Sequence, residues 1–75
     1  MQQIPLCYLP VGTKAVISET TGNDDLRRRL QDLGFVKGAI VECVLESPLG
    51  DPAAYYVKGS LIALRSEESS LILVE

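Results

Sequence analysis

The stretch TGNDDLRRRLQDLGF, residues 21–35, is the one clear helix in a chain whose other periodic segments alternate. Asn23 suits the N-cap position, because its side-chain oxygen can accept from the first free backbone amides. Asp24 and Asp25 then sit at the positive end of the helix dipole. At the other end Gly34 supplies the left-handed residue after the cap, and Phe35 folds back onto Leu30 as in a Schellman motif. A helix advances about 100° per residue, so Leu26, Leu30 and Leu33 form one narrow apolar stripe. The rest of the chain must supply strands to cover that stripe.

The strands read from period two. In TKAVISE, residues 13–19, Ala15 and Ile17 share one face while Lys14, Val16 and Ser18 share the other. In GAIVECVLES, residues 38–47, Val41, Cys43 and Leu45 face one way, and Ile40, Glu42, Val44 and Glu46 the other. PLGDP, residues 48–52, is a turn, and YLPVG, residues 8–12, is another. AAYYVK and SLIALR flank Gly59 as a hairpin with its tight turn near Gly59 and Ser60. SEES, residues 66–69, starts a single helical turn with Ser66 as a weak cap, and LILVE closes the chain as the last strand. Five short strands with one helix after the first predict a mainly β fold, a small closed or nearly closed antiparallel barrel. There is no linker, repeat or low-complexity tract, so residues 1–75 read as one domain, with its core over 9–75.

The arginines at 27, 28 and 29 invite a nucleic-acid reading, but they fan around the polar side of the helix rather than forming one face. Asp24–Arg28, Asp25–Arg29 and Arg28–Asp32 are i,i+4 pairs that would lace the exposed side, each contributing about 0.2–0.5 kcal/mol. The formal net charge of −3 also runs against a nucleic-acid module.

Catalytic chemistry is sparse. Without a histidine there is no imidazole base and no Cys–His or Ser–His pair. No glycine loop followed by Lys and Ser/Thr cradles a phosphate, so the chain by itself is not expected to bind GTP. The two cysteines, Cys7 and Cys43, stand in no C-x-x-C pair. Cys43 lies on an apolar strand face and reads as a packed core thiol, while Cys7 reads as a loosely held terminal thiol. Asp51 reads as a turn residue bonding the amides just ahead of it. No cofactor and no metal site is expected. The N-terminus does not resemble a signal peptide and no apolar run is long enough to span a bilayer, so a cytoplasmic location without membrane insertion is expected. What remains is a binding or regulatory module.

LPVG near the start, LRRRLQDLGFVKG, SPLGDP and YYVKGSLIALRSEESSLILVE together resemble the FeoA family of bacterial ferrous iron transport, over residues 9–75. The resemblance implies an SH3-like barrel and a role as an accessory, not an enzyme, that acts on FeoB, the membrane ferrous iron transporter with a cytosolic GTPase domain. If Val41, Cys43, Tyr55, Val57, Ile62 and Leu64 face inward, alternation sends Ile40, Val44, Tyr56 and Leu61 outward. Tyr56 and Leu61 are then candidates for self-association into a homo-oligomer or for docking. Arg27, Arg28 and Arg29 are a second candidate contact, against an acidic partner surface. The competing readings are an Fe(II)-binding chaperone using Cys7, Asp51 or Glu side chains, and an RNA-binding small barrel.

Overall fold

The computed structural model describes residues 2–75. It contains β1 (Ile4–Pro5), a 3-10 turn (Leu6–Tyr8), β2 (Lys14–Thr20), α1 (Asp24–Asp32), β3 (Ile40–Glu46), β4 (Ala53–Val57), β5 (Ser60–Leu64), α2 (Ser66–Ser69) and β6 (Ile72–Val74). The strands form one antiparallel sheet in the order β1-β6-β2-β3-β4-β5. The mainly β fold expected from the alternation is present, with one strand more than the pattern gave. That strand, β1, pairs Ile4 with Val74 and Pro5 with Leu73. Two residues are too few to carry a period, which is why the pattern misses it. No ladder joins β1 to β5 among the described residues, so the sheet does not close by hydrogen bonds. The 3-10 turn and α2 pack against each other instead.

α1 begins and ends as its sequence demands. Leu26 N–H donates to Asn23 Oδ1 at 2.8 Å. Phe35 N–H reaches Leu30 O at 3.1 Å and Gly34 N–H reaches Gln31 O at 3.0 Å. These are the paired bonds of a Schellman cap. Gly34 has φ +112°. Glycine adopts that conformation without a Cβ penalty. Leu30 and Phe35 are fully buried and Leu26 partly so, but Leu33 is 38% exposed, so the apolar stripe is narrower than its spacing suggests.

Two bulges depart from strict alternation. In β2 the register shifts between Ile17 and Glu19. The extra residue turns Glu19 outward and Thr20 inward. There the Thr20 hydroxyl donates to Phe35 O at 2.7 Å. In β3 the register shifts between Cys43 and Leu45, so Leu45, expected beside Val41 and Cys43, is 62% exposed. The hairpin turn falls one residue earlier than expected, on Lys58 and Gly59. Both have positive φ, 51° and 80°. A two-residue type I′ turn requires positive φ at both positions.

α2 is also capped differently. Its cap residue is Arg65, and Ser66 is its first helical residue. The Ser66 N–H donates to Asp51 Oδ1 at 2.8 Å, and the Arg65 N–H donates to Glu68 Oε1 at 3.2 Å. Asp51 therefore serves a helix distant in sequence rather than its own turn. The core gathers Leu6, Ile17, Leu30, Phe35, Val41, Cys43, Tyr55, Val57, Leu64, Ile72 and Val74. Full burial of a large apolar side chain contributes about 1.5–3 kcal/mol.

Candidate interaction surface

The outer face of β2–β5 is built by cross-strand register. Lys14 stands opposite Glu42, Glu42 opposite Tyr56, and Tyr56 opposite Leu61, making one row across four strands. Beside it Val16 stands opposite Ile40. Tyr56 is 48% exposed, Ile40 62% and Leu61 63%. The inward set Val41, Cys43, Tyr55, Val57 and Leu64 is buried and Ile62 is partly buried, so alternation around the hairpin holds on both faces. Val16 and Leu45 join the exposed apolar group, as does Leu49 in the β3–β4 loop. Alternation grouped Val16 with Lys14 and Ser18; the exposure of Leu45 depends on a bulge that leaves no mark in the residues themselves.

α1 presents its arginines separately. Arg27 pairs with Asp24 at 2.9 Å. Arg29 reaches across to Glu68 on α2, tying the helix to the last turn before β6. Arg28 makes no ion pair among the described residues. None of the i,i+4 pairs read from the sequence forms among them. Glu68, itself held by the Arg65 amide, draws Arg29 away from Asp25.

The cysteines lie in different surroundings. Cys43 is buried. That burial, with the nearby Glu46 charge, pushes its thiol above the ordinary range, against a lowering backbone hydrogen bond at Leu45. Cys7 is not a loose terminal thiol: the 3-10 turn holds it half-buried, where it lines a cavity of about 40 Å³ with Glu46, Asp51, Tyr55, Ser66 and Ser69. Burial also raises the Tyr55 phenol, opposed by the Ser69 hydroxyl. Among the described residues no group of three or more Cys, Asp or Glu side chains gathers in a way that would hold a metal ion. No helix among them is long and apolar enough to cross a membrane.

The FeoA domain matches residues 4–75. The chain belongs to the FeoA family. Its SH3-like architecture is that of FeoA structures solved before. A FeoA-like protein from Clostridium acetobutylicum superposes with a TM-score of 0.91 at 29% identity, covering 100% of this chain and 87% of that one. FeoA of Stenotrophomonas maltophilia, solved with zinc and described as a prokaryotic SH3 domain protein, superposes at 0.82 with 38% identity, covering 93% and 87%. A protein of Porphyromonas gingivalis, named as a fusion of Fe(2+) transport protein A with the Fe(2+) transporter FeoB, is 36% identical over 70 residues. That match takes in 93% of this FeoA chain but only 8% of the length of the fusion protein.

Proposed function

We propose that this FeoA chain is a non-enzymatic, cytoplasmic accessory of bacterial ferrous iron uptake that acts by protein–protein contact with an FeoB-like membrane transporter, at its GTPase region. The observation that carries the reading is the Porphyromonas gingivalis protein, where a segment related to this chain is covalently joined to FeoB. Fusion holds two partners at high effective concentration, which serves domains that work in contact. The S. maltophilia relative, described as a candidate activating factor for ferrous iron transport, supports the same reading.

The docking face we assign is the Tyr56–Leu61 row of the outer sheet, with the arginine side of α1 as a second contact. An exposed aromatic beside an aliphatic residue suits a desolvated anchor. Arg28, exposed and without an ion pair among the described residues, suits electrostatic steering toward an acidic surface, flanked by Arg27 and Arg29.

The test is binding of the immobilised chain to full-length FeoB-like transporter and to its soluble GTPase domain. Both are expected to bind. A Tyr56→Ala, Leu61→Ser double variant is expected to dissociate faster, and Arg28→Glu to associate more slowly with a weaker salt dependence. Failure of both transporter forms to bind would refute the reading. Binding that neither variant alters would refute the assigned face.

A further inference from the structure

The two edges of the sheet are built differently. β1 is two residues long and contains Pro5, features that blunt an edge against strand addition. β5 reads Ser-Leu-Ile-Ala-Leu, five residues without charge, proline or register shift. Among the described residues it pairs with β4 alone. In an antiparallel hairpin closed by a two-residue turn, the pair flanking the turn exchanges hydrogen bonds, and such pairs then alternate. Val57–Ser60, Tyr55–Ile62 and Ala53–Leu64 are therefore the bonded pairs, leaving the N–H and C=O of Leu61 and Ala63 on the open side. Among the described residues neither amide has a backbone acceptor elsewhere. Both residues are exposed.

We infer that a second copy of this chain covers this edge, β5 adding antiparallel to β5 about a two-fold axis at Ile62. The strand is self-complementary in that register. Leu61 of each copy falls opposite Ala63 of the other, large against small, and each pair exchanges its outward N–H and C=O. The uncharged strand sets no like charges against each other across the axis. Past its ends Arg65 of each copy falls opposite Gly59 of the other and Lys58 opposite Ser66, where α2 turns the chain away from the strand direction. Two sheets thus become one continuous sheet whose outer face carries both Tyr56–Leu61 rows. The short strand gives an interface at or below about 1,200 Å², the size class of weak and transient associations.

This inference does not rest on the transporter reading, because its test uses the chain alone. Sedimentation velocity over a concentration series is expected to show the mass rising from 8.2 kDa toward twice that value as concentration approaches millimolar. Ala63→Pro removes one outward N–H while leaving the β4 ladder intact, and Leu61→Lys places a charge on the edge. Each is expected to hold the chain at the monomer mass, whereas Tyr56→Ala, off the edge, is expected to leave association in place. If circular dichroism shows Ala63→Pro unfolded, Leu61→Lys carries the test. Amide exchange supplies a second readout: protection of Leu61 and Ala63 is expected to rise with concentration. A wild-type chain that stays monomeric throughout, or a dimer that survives in every folded edge variant, would overturn the assignment. The first outcome would leave the edge for an extended segment of another protein.

Discussion

Gly34→Ala places a methyl group against the β4–β5 turn, where the fold leaves little room for one. The residue has φ +112°, so any side chain there is strained. Left-handed backbone costs an L-residue roughly 1–2 kcal/mol. The added Cβ would also stand 3.2 Å from Lys58 Cγ, 3.3 Å from Lys58 Cβ and 3.6 Å from Val57 Cγ1. Lys58 Cγ can rotate away, but Lys58 Cβ belongs to a tight turn whose own φ is 51° and moves only with the hairpin. Strain and crowding together are expected to cost about 2–3 kcal/mol. A core of this size rarely supplies more than about 3–5 kcal/mol, so the variant should lose roughly 40% of its stability or more. At about 4–8 °C per kcal/mol for a domain of this length, the melting temperature should fall by roughly 8–24 °C. Urea unfolding would read the same loss as a lower midpoint with unchanged slope. Gly59→Ala is the internal control: its φ is +80° and no atom of the described residues lies within 4 Å of its Cβ position, so it carries strain alone. If Gly34→Ala costs no more than Gly59→Ala, the proposed packing of the α1 cap against the β4–β5 turn is wrong.

Asp51→Ala should lower stability by about 1 kcal/mol in urea melts, because the Ser66 N–H loses its carboxylate acceptor, while Asp51→Asn should recover most of the loss. In a double-mutant cycle Arg29→Ala with Glu68→Gln should show a coupling of no more than about 1 kcal/mol that shrinks with added salt, and a coupling indifferent to salt would contradict the pairing. Alkaline pH should destabilise the chain. Cys43 and Tyr55 both hold their protons more tightly when folded, chiefly through burial, so the unfolded chain releases protons first as pH rises. From neutral pH the unfolding midpoint should be level to about pH 8.5 and fall above it, first through the thiol and then, near about 10, through the phenol. Cys43→Ala should remove the earlier fall and keep the later one.

α1 was legible from its residues because every signal that defines it is local. Asn23, the Leu26–Leu30 spacing, Gly34 and Phe35 act within one or two turns of each other, and the structure uses them as read. The β4–β5 hairpin was legible for the same reason, since a two-residue turn sets the register of both strands and hence which of Tyr55 and Tyr56 is buried. The bulges of β2 and β3 were not legible. A bulge is chosen by what the whole sheet must bury: keeping Glu19 out of the core outweighs strict alternation in β2.

The sequence by itself determined the mainly β class, the single long helix with both its caps, the inward face of the hairpin and the exposure of Tyr56, Leu61 and Ile40. Local backbone preference and side-chain period are properties of neighbouring residues, and these features need nothing else. Only the tertiary structure decided that Asp51 caps α2, that Arg29 leaves its own helix for Glu68, that Cys7 lines a cavity, and that β5 ends the sheet with an open edge. Each of those joins residues far apart in the chain, and a charge or a backbone amide takes whichever partner the folded chain brings within reach.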